Sequence, residues 1–399
     1  MTASLALPGV LDGRGPGLTD HLATFGPLPP ADALDLATRA ALTGRGGAGF
    51  PTASKLRSVR DAARAARRPP VVVANAAEGE PAAAKDDVLL TAAPHLVLDG
   101  LDLVARGLGA DTLLVAAPGR LHRAVDRALA ERRRGDVRLH ATPDRFLAGE
   151  ESALVAAIDG GQALPLAKFP PIRERGVEGR PTFVANVETL ARLALLARGR
   201  TDAGEHTLVT RRAEVGGTAL VDVADVAVGV RLGDVLRIDP GVTAVLIGGF
   251  HGTWLPAAVA RDVRLEREGL ADVGASLGAG VLAALPAGRC GLRETARVMS
   301  YLAAESAGQC GPCLNGLPRI AGALELLARP GRFDGRLLRD VARWCGLVAG
   351  RGACRHPDGS VRLVASALQV FEGEVREHAA GRCVARDRRP FLPVPGAAR

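Results

Sequence analysis

The chain has 399 residues, of which 47% are apolar and 3% aromatic, and it carries a formal net charge of +8 at neutral pH. This length predicts two or three domains with ample apolar material for a core. A basic charge can indicate nucleic-acid binding, but the arginines are scattered, and too few aromatic residues accompany them for a base-stacking platform. We therefore expect no nucleic-acid partner.

The N-terminus, MTASLALPGVLDGRG, lacks the basic n-region and the long apolar core of a signal peptide. The longest uncharged stretch, residues 273–288, is shorter than the roughly 20 residues that a membrane-spanning helix needs. From these two features we expect a cytoplasmic protein without direct membrane insertion.

Helical and strand patterns alternate over the first 150 residues. In chain order, the predicted elements are a helix at 31–43, a strand at 70–75, a helix at 87–108, a strand at 111–117, a helix at 120–133 and a strand at 137–142. This β-α-β alternation predicts a mostly parallel sheet with helices on both faces. Ligand-binding loops of such sheets follow the carboxyl ends of the strands.

The pattern changes after about residue 200. Short β-branched segments between residues 207 and 250 alternate with glycine and aspartate turns and predict a small β-rich module. A connector rich in glycine and alanine follows. Helical patterns then occupy residues 293–307, 317–327, 337–348 and 361–378, and the basic, proline-rich segment from about residue 386 is expected to be disordered.

The run GRGGAGFP, residues 44–51, places four glycines in six residues before a large ring and a proline. Glycine is entropically costly in ordinary structure, so such a cluster indicates tight turning or close approach of the main chain to a ligand. A lone glycine motif is weak evidence, however, and a flexible loop is the alternative.

Three further segments carry polar groups or rings. NAAEGEP, residues 75–81, directly follows a predicted strand, where α/β sheets bind ligands, although a solvated turn has the same pattern. FLAGEESAL, residues 146–154, places adjacent glutamates at a helix start, where they either complement the helix dipole or form an acidic wall for a ribose or amide. KFPP, residues 168–171, with NVET at 186–189, forms either a ring-bearing binding loop or ordinary packing.

All six cysteines, at positions 290, 310, 313, 345, 354 and 383, fall in the last third of the chain. In a chain of this size, such clustering favours a metal or redox site over disulfides. The segment ESAGQCGPC, residues 305–313, contains a Cys-x-x-Cys pair, whose thiolates can bind one metal centre. An iron–sulfur cluster, a structural zinc ion and unrelated buried thiols are the alternatives.

Together these motifs resemble the flavoprotein subunit of respiratory complex I, the NADH-binding 51 kDa or F subunit, with its relatives in soluble hydrogenases and formate dehydrogenases. GRGGAGFPT is similar to the family's flavin loop, NAAEGEP to its NADEGEP segment, and AGEESAL to its CGEETAL helix start. FVANVETL is similar to VNNVETL, and ESAGQCGPC to ESCGKCTPC. The order of five motifs over nearly the whole chain is more specific than any one of them.

The resemblance implies a fold of three parts: an α/β Rossmann-like flavin domain, a small β-grasp (soluble-ligand-binding) module, and a C-terminal helical bundle with an iron–sulfur site. We accordingly expect an FMN/NADH-binding domain at 1–200, the β-grasp module at 201–265, a connector at 266–290, the helical iron–sulfur domain at 291–385 and a disordered tail at 386–399.

The activity that the resemblance implies is hydride transfer from NADH to flavin mononucleotide (FMN), followed by passage of single electrons through a 4Fe-4S cluster. The acceptor would be a ferredoxin-like protein or a partner oxidoreductase subunit. The flavin performs the conversion of a two-electron donor into single electrons, so the hydride step needs no catalytic side chain.

The resemblance also implies the site residues. Those expected to bind FMN or NADH are Gly44, Arg45, Gly46, Gly47, Ala48, Gly49, Phe50, Lys55, Asn75, Glu78, Glu80, Phe146, Gly149, Glu150, Glu151, Phe169, Asn186 and Thr189. Loop N–H groups, Lys55 and the two asparagines would hold the flavin, the rings of Phe50 and Phe169 would flank the nucleotide, and Glu80, Glu150 and Glu151 would line the NADH side. The expected cluster ligands are Cys310, Cys313, Cys354 and Cys345, with Cys383 and Cys290 as alternatives for the fourth.

The sequence departs from the family at a few motif positions. Ala307 stands where the family has its first cluster cysteine, and Ala77 and Ala185 replace an aspartate and an asparagine of the flavin motifs. Leu56 and Ser58 stand where the family has rings. Two other functions therefore stay open: a flavin and iron–sulfur protein that does not use NADH, and a non-catalytic scaffold that retains the fold.

Overall fold

The computed structural model describes residues 9–166, 168–331, 333, 335–383 and 385–396, which form two units. The first unit contains residues 9–79 and 84–208, and the second contains residues 80–83 and 209–396. Of the expected domains, residues 1–8 of the first and 397–399 of the tail lie outside the described residues.

A four-stranded parallel sheet, in the order β3-β2-β1-β4, forms the centre of the first unit. Its strands are β1 (Val71–Asn75), β2 (Thr112–Pro118), β3 (Val137–Thr142) and β4 (Thr182–Asn186). The central strands are continuous apolar runs because helices cover both faces of a parallel sheet. The predicted β-α-β alternation with a parallel sheet is confirmed.

Eight α-helices belong to the described part of this unit. They are α1 (Leu18–Phe25), α2 (Ala33–Arg39), α3 (Thr52–Ala66), α4 (Lys85–Ala92), α5 (Pro94–Leu108), α6 (His122–Glu131), α7 (Glu151–Ile158) and α8 (Val187–Ala197). The prediction of one helix at 87–108 is wrong, because α4 and α5 meet at 94°. The ring of Pro94 disfavours helical backbone at Ala93, which has φ −138° and ψ 48°.

The described helices were compared with the length and hydropathy that a membrane span requires. No single described helix has both the length and the hydropathy of a span, and the bent pair of α4 and α5 reaches them only when its two helices are counted together.

The second unit contains a five-stranded mixed sheet in the order β6-β5-β9-β7-β8. Its strands are β5 (His206–Val215), β6 (Thr218–Ala227), β7 (Val242–Ile247), β8 (Thr253–Pro256) and β9 (Val281–Pro286), with short helices α9 (Leu232–Val235), α10 (Ala257–Ala260) and α11 (Arg267–Ala271). Strand β9 lies within the segment 266–290, which its composition predicts to be a connector. That prediction is wrong, since the apolar run VLAALP is the central strand and pairs with β5 and β7.

Helices make up most of the remainder of this unit: α12 (Gly291–Ala304), α13 (Leu317–Leu327), α14 (Arg336–Val348), α15 (His356–Val370) and α16 (Glu372–Ala379). A single π-helical turn, Pro312–Gly316, precedes α13. The predicted helix at 361–378 is two helices that break at Phe371. The ring of Phe371 packs edge-on against Trp254 at 5.2 Å, a tertiary contact that the local pattern does not contain.

The segment from residue 386 differs from the expected disordered tail. Phe391 and Leu392 are buried, and their backbone N–H groups donate to the carboxylate of Glu294 at 3.2 and 2.9 Å. The carbonyl of Phe391 accepts a hydrogen bond from Arg212 at 3.1 Å. One apolar pair among basic and proline residues is therefore enough to anchor this segment in the core.

Candidate functional site

Asn75 and Asn186 end the neighbouring strands β1 and β4 and are direct partners in the register of the sheet. The Asn75 amide donates to the carbonyl of Gly149 at 3.0 Å, and its side-chain oxygen accepts from the N–H of Ala77 at 3.0 Å. One asparagine thus ties the second motif to the third at the carboxyl edge of the parallel sheet, where such folds bind ligands.

These two motifs meet backbone to backbone at Gly79 and Gly149. A Cβ atom on Gly79 would lie 2.3 Å from the carbonyl oxygen of Phe146, and one on Gly149 would lie 2.1 Å from that of Ala77. No other residue fits at either position without displacing main chain. The structure therefore brings Glu78 and Phe146, both half-buried, to the same loop cluster.

The glycine-rich loop borders the same strand end. A Cβ atom on Gly46 would be in ordinary contact with Asn186 at 3.5 Å. The loop is closed by Gly44 N–H donating to Phe50 at 2.8 Å and by Arg45 N–H donating to the hydroxyl of Thr189 at 2.9 Å.

The loop is a turn over residues 45–48, and the four successive N–H groups of Gly46–Gly49 make no hydrogen bond of normal geometry to the described residues. Consecutive unpaired N–H groups at a turn form a concavity that binds phosphate and other anions. A phosphate-bearing ligand such as FMN fits this donor set.

Two basic residues of the expected flavin site have partners inside the protein. The Arg45 guanidinium donates to the carbonyls of Gly204 and His206 at 2.7 and 2.9 Å. The Lys55 ammonium is ion-paired with Glu151. Arg45 therefore holds the loop to residues 204–206 of the same unit, and Lys55 joins the start of α3 to the start of α7.

The adjacent glutamates have different roles. Glu150 is the N-cap of α7, since its carboxylate accepts the N–H groups of Ser152 and Ala153 at 3.0 and 2.9 Å. The side chain of Glu151 is 46% exposed and faces Lys55. Of the two interpretations of this motif, the capping one describes Glu150, while Glu151 remains available to a ligand.

A buried charge cluster, formed by Lys85, Asp86, Glu188 and Arg192, contacts Asn186 at the end of β4. The Lys85 ammonium is 2.8 Å from Asp86, 3.5 Å from Glu188 and 3.2 Å from the side-chain oxygen of Asn186. Burial alone would lower the pKa of Lys85, but the carboxylates of Asp86 and Glu188 outweigh it and raise the pKa above its ordinary value. Lys85 is therefore charged at all physiological pH values.

The site residues predicted from the sequence do not include this cluster. A charged helix start such as KDD ordinarily faces solvent. The structure shows instead that Lys85 is buried and that its ammonium contacts Asn186. The one available signal was that lysine occurs three times in a chain rich in arginine, each time beside a motif.

Aromatic rings of the expected nucleotide site are exposed. Phe50 is 55% and Phe169 is 86% exposed. Exposed rings of this size are costly in water and are free to stack on a planar ligand.

Glu80 is buried in the second unit. Its carboxylate accepts the N–H groups of Phe250 and Ala82 at 2.7 and 3.1 Å. Burial raises the pKa of Glu80 to about 7, against the opposing effect of these two hydrogen bonds. That Glu80 lines the NADH side stays a prediction.

Three of the expected metal ligands are neighbours in the second unit. Burial first, and then the Cys310 and Cys354 thiols, raise the pKa of Cys313 to about 11. Burial would also raise the pKa of Cys310, but the N–H groups of Ala353 and Cys313 outweigh it and lower that pKa. Cys310 and Cys313 hydrogen-bond each other and Cys354 acts on the charge of Cys313, and thiols of this kind suit a thiolate-ligated centre.

Cys290, Cys345 and Cys383 pack in the same hydrophobic cluster as Cys310 and Cys313. Burial raises the pKa of Cys345 to about 11, and that Cys345 is the fourth ligand stays a prediction. Cys290 and Cys383 lie beside His378.

Two family models match the chain. The model of the Nuo51 FMN-binding domain covers residues 37–195, and that of the NADH-ubiquinone oxidoreductase-F iron-sulfur binding region covers residues 293–378. The first match contains the glycine-rich loop and both asparagines, and the second contains Cys310, Cys313 and Cys354.

Relatives match over most of the chain. The F subunit of the NADH-quinone oxidoreductase of Mycobacterium tuberculosis is 30% identical, with 89% of this chain and 86% of that protein covered. The F subunit of the Streptomyces coelicolor enzyme is 28% identical, with 89% and 84% covered. The crystal structure of an NAD+-reducing [NiFe]-hydrogenase in the H2-reduced state has a TM-score of 0.76 and 27% identity. The match covers 90% of this chain but only 63% of the hydrogenase chain.

Proposed function

The chain belongs to the family of the F subunits of NADH-quinone oxidoreductase, and on this premise we propose that it is the NADH-oxidising subunit of a larger oxidoreductase. It accepts hydride from NADH on FMN and passes single electrons through an iron–sulfur cluster to a partner. Bound FMN supplies the exchange between two-electron and one-electron chemistry.

The FMN site is proposed at the carboxyl ends of β1 and β4. The observation that carries this proposal is the row of unpaired N–H groups at Gly46–Gly49, which offer hydrogen bonds to the flavin phosphate or ribityl chain. The remaining proposed contacts come from the neighbouring loops, at Asn75, Glu78, Phe146, Gly149, Asn186 and Thr189.

The buried charge cluster fixes the position of Asn186, one of the proposed FMN contacts. Lys85 and Asp86 hold the Asn186 amide from both sides, at 3.2 and 2.6 Å. Asn186 in turn accepts the N–H of Glu188 at 3.0 Å and so fixes the start of α8, whose Thr189 holds the loop. The cluster therefore positions the loop without contacting a ligand itself.

The nicotinamide nucleotide is proposed to lie against the exposed rings of Phe50 and Phe169. Glu151, which is partly exposed and paired with Lys55, is the proposed hydrogen-bond acceptor for its ribose or amide. Glu150 contributes by capping α7 and thereby fixing the position of Glu151.

Residues 291–385 are proposed to form the helical iron–sulfur domain, with Cys310, Cys313 and Cys354 as three ligands of the cluster. The five-stranded sheet is proposed to be the β-grasp module, extended beyond residue 265 because β9 is its central strand. We further propose a cytoplasmic location and an electron acceptor of the ferredoxin or oxidoreductase-subunit class.

The test of the activity is a visible spectrum of the anaerobically purified chain, recorded before and after addition of NADH. Flavin bands that bleach with NADH, over a broad iron–sulfur absorbance, are expected. Flavin and iron that do not respond to NADH would support an electron-transfer protein with another donor. A colourless protein after reconstitution with FMN, iron and sulfide would support a scaffold and contradict the proposal.

The loop is tested by replacing Ala48, whose N–H is one of the four unpaired groups. Ala48→Pro removes this N–H, whereas the matched control Ala48→Gly keeps it. Loss of one hydrogen bond to a charged acceptor is worth about 1.5–3 kcal/mol, so we expect FMN to bind at least tenfold more weakly to the proline variant. Equal dissociation constants, measured by flavin fluorescence quenching, would show that the loop does not hold the phosphate.

A further inference from the structure

Among the described residues of the second unit, three side chains that commonly bind metals lie close together. Cys290, His378 and Cys383 place one ligand atom each within 4.8 Å of one another. Cys290 precedes α12, His378 lies near the end of α16, and Cys383 follows that helix. The first two side chains are buried and Cys383 is partly exposed.

The imidazole of His378 is oriented for metal binding. Its Nδ1 atom is 2.8 Å from the carbonyl oxygen of Leu327, which can only accept, so Nδ1 carries the proton. The unprotonated Nε2 then faces the Cys290 sulfur at 3.6 Å. A backbone carbonyl that holds the far ring nitrogen is the usual second partner of a metal-bound histidine.

The surroundings of Cys290 favour a bound cation. The Glu374 carboxylate accepts from the Cys290 thiol at 3.0 Å and from the N–H groups of Leu292 and Gly291 at 3.0 and 3.2 Å. The Cys290 sulfur itself accepts the N–H of Arg293 at 3.4 Å, as the N-cap of α12. An anionic carboxylate held beside a thiol offers negative charge that a cation would neutralise.

We propose that Cys290, His378 and Cys383 bind a zinc ion, with a water molecule in the fourth position. Sulfur and imidazole donors together select zinc over magnesium, calcium or manganese. A tetrahedral zinc ion with Zn–S of about 2.3 Å and Zn–N of about 2.0 Å separates these ligand atoms by about 3.5 Å, which matches the observed 3.6 Å.

Zinc binding displaces the protons of the two thiols, and Glu374 already accepts a hydrogen bond from one of them. The ion would join the start of α12 to the end of α16 and the chain that follows. This assignment removes Cys290 and Cys383 from the candidates for the fourth iron–sulfur ligand. It goes beyond the proposed function and does not depend on it.

The test uses the full chain, with zinc and iron measured by mass spectrometry and Zn²⁺ or Co²⁺ alone as the added probe. Cys383→Ser and Cys290→Ser are the site variants, and Cys345→Ser is the matched control because Cys345 is not one of the three proposed zinc ligands. We expect both site variants to bind zinc at least tenfold more weakly than the wild type and the control. Cobalt in the wild type should show the absorption bands of a tetrahedral thiolate complex.

A further variant, Cys313→Ser, separates this site from the iron–sulfur centre: it should lose iron and keep zinc. Equal zinc binding by the wild type and both site variants would overturn the proposal, as would loss of zinc in Cys345→Ser or Cys313→Ser. A disulfide between Cys290 and Cys383, found by mass mapping of the natively purified protein, would replace it. If Cys290→Ser does not fold, the zinc affinity of Cys383→Ser and the cobalt spectrum of the wild type test the site.

Discussion

At the scale of single residues, the least ordinary feature is the burial of Lys85 beside two carboxylates. A buried ion pair contributes little net stability by itself, but removal of one partner leaves the others charged and without compensation. The position of Lys85 against Asn186 makes this cost relevant to the flavin loop as well.

We therefore expect Lys85→Met to lower the free energy of unfolding by about 3–5 kcal/mol, measured by urea denaturation. The exposed Lys168 provides the control, since Lys168→Met should change the stability by less than about 0.5 kcal/mol. Similar stabilities for the two variants would mean that Asp86 and Glu188 tolerate the loss of the ammonium.

At the scale of elements, the two glutamates at the start of α7 have different proposed roles: Glu150 caps the helix, and Glu151 binds NADH. Removal of the Glu150 cap should cost about 1 kcal/mol of stability, because two N–H groups of the first turn lose their acceptor. Glu151→Ala should change stability by less than about 1 kcal/mol, since it breaks only a surface ion pair, but it should raise the KM for NADH.

Urea denaturation, and steady-state NADH oxidation with ferricyanide added as the electron acceptor, measure these two effects separately in Glu150→Ala and Glu151→Ala. If Glu150→Ala raised the KM for NADH without loss of stability, and Glu151→Ala left the KM unchanged, Glu150 and not Glu151 would be the NADH-binding residue.

At the scale of the whole molecule, Glu80 couples stability to pH. The pKa of Glu80 is about 7 in the folded protein because of burial, against 4.5 for an unperturbed glutamate. Between these pH values the folded chain keeps a proton that the unfolded chain has released, so the unfolding free energy falls as the pH rises. The loss is complete above about pH 7 and amounts to about 3 kcal/mol.

Glu80→Gln should remove this contribution. The stability of the glutamine variant relative to the wild type is therefore expected to increase by about 3 kcal/mol between pH 4.5 and pH 8, measured by urea denaturation at both values. Parallel pH profiles for the two proteins would show that Glu80 ionises in the folded state as it does in the unfolded state.

The sequence by itself determined the features that depend on local patterns and on motif order. The apolar runs predicted three of the four strands of the parallel sheet, all but β4, and the five ordered motifs indicated the family. The position of Asn75 at the carboxyl end of a strand also followed, whereas the structure showed that Asn186 ends the neighbouring strand.

Only the tertiary structure decided which side chains meet. A thiol or a lysine has the same local pattern whether it is buried or exposed, so the sequence could not group Cys290 with His378 or place Lys85 in the interior. The strand at 281–286 and the buried Phe391 were missed for the same reason. Their conformations depend on partners distant in the chain, and the packing of those partners outweighs local composition.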